Sequence, residues 1–95
     1  MENELPKIGI SLDTRGLSAE DMLLLSREAE EAGLYAIGVG DAFHDTYALL
    51  SAMTMVTSRI RLISAVATWT RTPLTAARAV RTVDLLSNGR YSLGL

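Results

Sequence analysis

Short apolar runs that alternate with amphipathic stretches restrict this chain more than any other feature. Lys7 to Leu12 (KIGISL), Tyr35 to Gly40 (YAIGVG) and Ile60 to Ala67 (IRLISAVA) have strand length and strand composition, and Tyr91 opens a fourth such run. Ile60 to Ala67 is nearly continuous in its apolar character, as expected of a strand covered on both faces of a parallel sheet. The segments between these runs carry apolar residues at helical spacing. Ser18 followed by Asp21 reads as a capping-box-like helix start, Met22, Leu25, Ala29 and Ala32 as its inner stripe, and Gly33 as a left-handed C-terminal cap. Asp45 can cap a second helix running to about Thr57, with Leu49, Met53 and Val56 facing inward. Thr72 and Pro73 start a third, whose stripe is Ala76, Ala79, Val80, Val83 and Leu86. The order βαβαβαβ predicts parallel strands joined by helical crossovers.

Loop lengths add a direction. Connections from helix to strand are short (GL, SR, SNGR), whereas those from strand to helix are longer (DTRGL, DAFHD, TWTRT). In parallel α/β proteins ligands bind at the carboxyl ends of the strands, so the longer loops lie where function is expected. A doubly wound sheet and a (β/α) barrel both satisfy the pattern.

Composition then removes several classes. The chain has 95 residues, within the range of one domain, so residues 1–95 read as a single unit. A hydrophobic share of 48% against 21% charged residues is the balance of a chain that folds. The net charge of −2, without a basic block, argues against nucleic acid and against an anionic membrane surface as partners. No apolar run approaches the ~20 residues that span a bilayer, and the acidic start Met1 to Glu4 lacks the regions of a signal peptide, so the cytoplasm is the expected compartment. With no cysteine and one histidine, no metal site is expected.

The residues able to do chemistry fall on the rim with the longer loops. Asp41, His44 and Asp45 (GVGDAFHD) follow the second strand. They can serve as a carboxylate and an imidazole facing a ligand, or as a turn residue, an exposed loop side chain and a helix cap. GVGD is not a dinucleotide fingerprint, since no third glycine follows and no helix starts there. In SAVATWTRTP, Ser64 to Pro73, small residues at a strand end would let a flat ligand approach the backbone. Trp69 there offers an aromatic face and Arg71 a cation. The alternative is that Ser64 and Ala65 are small to make room for neighbours and that Trp69 covers the core. Arg78, Arg81 and Arg90 read as solvated side chains or dipole partners, and Met22, Met53 and Met55 as core filler.

The segment TRTPLTAARAVRTVDLLSNGRYSLGL resembles the luciferase-like flavin and deazaflavin oxidoreductases. In that family an R-x-P helix start leads into A-x-x-x-x-T-x-D-x-L-S-x-G-R and a following strand. TSRIRLISAV is similar to the family's T-x-x-I-x-L-G-T-x-V, and DTYALLSAM to its D-x-x-x-x-L-A-x-M helix. Residues 6 to 95 can be laid on the family's first (βα)3β unit. The resemblance implies half of a TIM (β/α)8 barrel, with flavin mononucleotide (FMN) or the deazaflavin coenzyme F-420 lying across the upper rim. It puts Ser64, Ala65 and Val66 beside the cofactor ring, often at a bulge with a non-prolyl cis peptide. Asp41 matches the aspartate of a second-strand D-H pair. Ala42 occupies the place of that histidine, and His44 comes two residues later. Asp41 and His44 are therefore the catalytic candidates, and Ser64, Ala65, Val66 and Asp41 the cofactor-binding ones. Ile63 stands where the family commonly has glycine.

A barrel of this type needs roughly 250 residues. The resemblance therefore leads to the expectation that the chain corresponds to the barrel's first half, with the would-be interior and two strand edges exposed. Completion by self-association, as a homodimer or higher oligomer, is the expectation that follows. Two functional readings remain. One is the N-terminal half of a flavin- or deazaflavin-dependent oxidoreductase or monooxygenase, inactive alone. The other is a non-catalytic, self-associating half-barrel, a truncated product or a cut fragment of the fold.

Overall fold

The computed structural model describes residues 6–95. The acidic start Met1 to Glu4 discussed above lies outside the described residues. Four strands and three helices alternate: β1 (Gly9–Leu12), α1 (Ala19–Glu31), β2 (Ala36–Val39), α2 (Thr46–Thr54), β3 (Arg61–Ser64), α3 (Pro73–Leu86) and β4 (Tyr91–Leu93). Each helix starts where a side chain can take up an orphan backbone N–H. Ser18 accepts from Asp21 N at 3.0 Å, Asp45 from Tyr47 N at 3.3 Å and Thr72 from Thr75 N at 3.4 Å. Gly33, at φ 85°, supplies the left-handed turn that stops α1.

The strands are all parallel and lie in the order β1-β2-β3-β4. One side of the sheet is buried. Ile37, Val39, Leu62 and Tyr91, two residues apart along their strands or in register between them, join Met22 and Ala29 of α1, Tyr47, Leu50 and Met53 of α2, and Val83 of α3 in one core. All three helices therefore pack on the same face. A doubly wound sheet needs helices on both faces and a reversal in strand order. Consecutive strands with one-sided helices are instead four neighbouring staves of a (β/α)8 barrel, which decides what the alternation left open.

The other face is the would-be barrel interior. Its side chains form two rows across the sheet, Gly9, Ala36 and Arg61, then Ser11, Gly38, Ile63 and Ser92. Small and polar groups dominate both. Close approach of β1 to β2 explains Gly9, where an added Cβ would stand 2.8 Å from the Ala36 carbonyl oxygen. Of the large exposed apolar side chains, Ile8 and Ile10 at β1 and Leu93 and Leu95 at β4 sit beside the two sheet edges. A groove of about 760 Å³ runs between α3 and β4, lined by Ala76, Ala77, Val80, Tyr91, Leu93 and Leu95 among others.

Several inward residues differ from the expected stripes. In α1 the buried set is Met22, Ser26 and Ala29, while Ala32, as the capping residue, is exposed. The Ser26 hydroxyl is accommodated by donating to the Leu23 carbonyl at 2.7 Å. In α2, which ends at Thr54, the packing of the helix on the sheet points Leu50 into the core and leaves Leu49 at its margin. Val56 and Thr57 lie beyond this helix. In α3 only Val83 is fully buried, because the flank of this helix along the β4 groove has no cover.

Two charged side chains tie together the ends of the elements away from the long loops. Glu30 at the end of α1 accepts on Oε2 from the backbone N–H groups of Ser58, Arg59 and Ile60 at 2.8, 2.5 and 2.9 Å. Arg90 just before β4 donates to the carbonyls of Ser87, Ile60, Thr57 and Thr54 and to the Thr57 hydroxyl. Of the two readings of Arg90, the structure supports the dipole partner over the solvated side chain: its guanidinium is a half-buried staple for carbonyls at and just beyond the C-terminus of α2. Among the described residues no helix is long and apolar enough to cross a membrane.

Candidate functional site

At the carboxyl ends of the strands the concave face loses its side chains. Val39, Ser64 and Leu93 are the last residues in register, and Gly40, Ala65 and Gly94 follow them, with Asp13 in the same position after β1. An added Cβ at Gly40 would lie 3.4 Å from the Ala65 carbonyl oxygen, and one at Gly38 would lie 3.1 Å from the Ala65 Cβ. At Gly94 a Cβ would run into the Ser64 carbonyl oxygen, so the close approach of β4 to β3 admits only glycine. Gly94 N donates to Ser64 O at 2.9 Å and Ala67 N to Gly94 O at 2.8 Å. These two bonds bracket Ala65 and Val66. The peptide bond between them is cis, at the place where the family resemblance put one. Ala65 is exposed, and Val66 is 50% exposed.

A cavity of about 260 Å³ lies on this shelf, bounded by Ser11, Leu12, Asp13, Gly40, Phe43 and Ala65 among others. Arg15 grips Asp13 through both carboxylate oxygens, at 3.0 and 2.7 Å, and its guanidinium lies 5.9 Å from the centre of the Phe43 ring. Those hydrogen bonds lower the Asp13 carboxyl to about 2.

Asp41 is a tie between loops. Its Oδ1 accepts from Thr46 N at 3.2 Å, and its Oδ2 accepts from Thr68 N, the Thr68 hydroxyl and the Thr70 hydroxyl at 3.3, 2.9 and 3.1 Å. Burial works to raise its pKa, but the hydrogen bonds from Thr46, Thr68 and Thr70 outweigh it, so the group is held below the usual carboxylate range. It is a fixed anion that joins the loop after β2 to the loop after β3. His44 stands exposed on the first of these loops, and Asp41's partners are the three threonines rather than this imidazole.

Ser64 faces away from the shelf. Its buried hydroxyl lies 2.6 Å from the Tyr91 hydroxyl and 3.2 Å from Thr46 Oγ1, which also donates to the Val39 carbonyl at 2.8 Å. This buried polar chain links β2, β3, β4 and the first residue of α2, and no local sequence pattern announces it. Ser64→Ala leaves the Tyr91 hydroxyl without its partner and is expected to destabilise the chain by about 1.5 kcal/mol. In a Tyr91→Phe background the same change is expected to cost less, which a double-mutant cycle by urea denaturation measures.

The other rim candidates divide. Asp45 caps α2 and forms an ion pair with Arg71, whose guanidinium lies 4.8 Å from the centre of the Tyr47 ring. Trp69 is 91% exposed, so it does not cover the core. Both rim arginines, Arg15 and Arg71, are thus paired with carboxylates. What the described rim presents openly is a side-chain-poor floor flanked by Val66 and Phe43. That surface fits a flat, apolar ring, and the glycine and alanine row is the cradle that any longer side chain would fill.

The family model for luciferase-like monooxygenases matches residues 5–95. Pyrimidine monooxygenase RutA of Pseudomonas syringae pv. syringae is 43% identical over 51 residues, which is 54% of this chain and 14% of that protein's length. RutA of Rhizobium rhizogenes is 39% identical over a segment of the same extent. The matched segment thus spans about a seventh of the length of these relatives (14%). Among solved structures, the coenzyme F-420 dependent tetrahydromethanopterin reductase of Methanopyrus kandleri superposes with a TM-score of 0.81 at 26% identity, over 92% of this chain and 26% of that one. Monooxygenase RslO1 of Streptomyces bottropensis, at 24% identity and a TM-score of 0.78, shares the fold over 93% of this chain and 32% of its own.

Proposed function

The chain belongs to the luciferase-like monooxygenase family, and from that premise we propose that it supplies the N-terminal half of a flavin- or deazaflavin-dependent oxidoreductase barrel. Further strands close the concave face in this reading. The observation that carries the proposal is the row Gly40, Ala65 and Gly94 at the strand ends. A planar ring can lie against this floor because no side chain longer than a methyl rises from Gly40, Ala65 or Gly94. Val66 and Phe43 supply apolar flanks that exclude water from the ring edge.

A bound FMN or coenzyme F-420 supplies hydride chemistry that none of the twenty side chains provides. The chain's own residues bind and position. Ala65 and Val66 form the ring-facing wall, and the Ser64 hydroxyl, bonded inside the core, fixes the end of β3 on which that wall stands. Asp41, ionised and engaged by three threonines, holds the two rim loops in register instead of passing a proton. His44, the rim's one imidazole, is exposed on its loop and stands in this reading as the candidate acid–base group of this half. With both rim arginines paired, the phosphate end of the cofactor is left to groups outside residues 6–95.

Titration of the chain with FMN and with coenzyme F-420, followed by ring fluorescence, tests the reading. Saturable binding is expected for at least one of them. Ala65→Phe, which raises a ring from the floor, is expected to weaken it about tenfold or more, as filling a preformed cradle does. Absence of saturable binding, or equal binding by the variant, overturns the proposal and leaves a non-catalytic half-barrel.

A further inference from the structure

We propose that the layer closing the concave face presents a carboxylate to Arg61, and that a second copy of this chain, which would present another Arg61, closes it poorly. The inference rests on the reading that further strands complete the barrel. Arg61 is the first residue of β3 and shares its row with Gly9 and Ala36. Neither neighbour has a side chain beyond Cβ, so the guanidinium is the functional group of that layer.

Its hydrogen bonds run sideways along the sheet. One nitrogen donates to Ser92 Oγ at 2.8 Å and to the Tyr91 carbonyl at 3.4 Å. Both acceptors are neutral, and a guanidinium carries five N–H donors. No carboxylate accompanies it on this face among the described residues except Asp13. That group stands two strands away and four residues further along the strand direction, a separation of about 16 Å at ~3.3 Å per residue and ~4.8 Å per strand, and is already gripped by Arg15. In the open sheet water serves the remaining donors, since Arg61 is only half-buried.

Closure removes that water. The interior of an eight-stranded barrel is just wide enough for side chains to fill, and a desolvated guanidinium without a counter-charge is strongly unfavourable. The strand opposite β3 in a ring of eight lies four places on. When two copies close the ring about a two-fold axis, that strand is the second copy's β3, and Arg61 meets Arg61 across the interior. A carboxylate at the opposing position would instead pair with the fork of N–H groups bidentately. The sequence expectation of a homodimer is therefore replaced by a partner layer with an acidic interior residue at this height.

The chain's own Arg61→Glu variant serves as that acidic partner. Wild type, variant and their equimolar mixture are compared by sedimentation velocity at equal total concentration. Each alone is expected to sediment as a monomer, and the mixture to associate about tenfold or more tightly than either, through pairing of Arg61 on one copy with the introduced carboxylate on the other. Wild type that dimerises as tightly as the mixture overturns the inference while leaving closure of the barrel intact. A mixture that remains monomeric overturns the inference, because a carboxylate opposite Arg61 then does not favour closure, while the reading that further strands complete the barrel stands. If the Arg61→Glu variant does not fold, as judged by circular dichroism, Arg61→Gln takes over the test. It is expected to self-associate more tightly than wild type, and equal association counts against the inference.

Discussion

Replacement of Arg90 by leucine is expected to destabilise the chain by about 3 kcal/mol, the largest effect of any single substitution away from the apolar core. The guanidinium bonds carbonyl oxygens of three segments at once. Its Nε donates to Ser87 O at 2.7 Å, one terminal nitrogen to Ile60 O and Thr57 Oγ1, both at 3.0 Å, and the other to Thr57 O at 3.2 Å and Thr54 O at 3.5 Å. The Thr54 carbonyl belongs to the last residue of α2 and the Thr57 carbonyl to the turn that follows it, where orphan acceptors collect and the helix dipole favours a cation. Leucine fills part of the volume but leaves these acceptors unpaired. Lysine brings one point charge in place of a planar fork and is expected to recover less than half of the loss. Burial lowers the Arg90 pKa, partly offset by the nearby Glu30 carboxylate, yet an arginine stays charged throughout the working range. The urea midpoint is expected to fall by about 2 M for leucine. A fall below about 0.5 M would show that solvent already serves these carbonyls.

The second large effect is at Glu30. One carboxylate oxygen receives the three successive backbone N–H groups that lead into β3, so Glu30→Ala leaves the buried Ile60 N–H unpartnered and the Ser58 and Arg59 N–H groups to water, and is expected to cost about 2 kcal/mol at neutral pH. Burial acts to raise the Glu30 pKa. The bonds from Arg59, Ile60 and Ser58, with the Arg59 charge, outweigh it, and the folded-state value lies below the ordinary one. A depressed folded pKa gives stabilisation that is fully present above the unfolded value, about 4.3 for glutamate, and is lost as pH falls through the folded value. The wild type should therefore lose more stability than Glu30→Gln between neutrality and about pH 3. Parallel stability curves for the two across that range would remove the carboxylate from the account.

Both residues show where the sequence is legible and where it is not. The elements follow from local period and capping: Ser18, Asp45 and Thr72 accept the N–H bonds expected of them, and Gly33 ends α1 in the left-handed region. Phase within a helix is less legible. Leu49 and Leu50 are adjacent and chemically identical, and only the fitted position of α2 on the sheet chooses Leu50 for the core. Long-range partners are not legible at all. Arg90 and Glu30 look like ordinary surface charges until β3 and β4 bring them against carbonyls and N–H groups about 30 residues away in the chain. The same holds at the rim. Asp41 depends on Thr68 and Thr70 from the next loop, and the Gly40, Ala65 and Gly94 row exists only through the register of three strands. Family resemblance pointed to Ser64, Ala65 and Val66 alike. Nothing local to SAVATWTRTP distinguishes the outward placement of Ala65 and Val66 from the inward one of Ser64, because alternation can be read in either sense until the sheet fixes it.

Amide chemical-shift mapping with FMN and with coenzyme F-420 at millimolar concentration tests the rim assignment most directly, since it reads weak binding residue by residue. The account predicts perturbations centred on Asp13, Gly40, Ala65, Val66 and Gly94, with α1 and the Glu30 and Arg90 end unaffected. An unchanged spectrum with both ligands, or perturbations centred on the groove between α3 and β4, would contradict it.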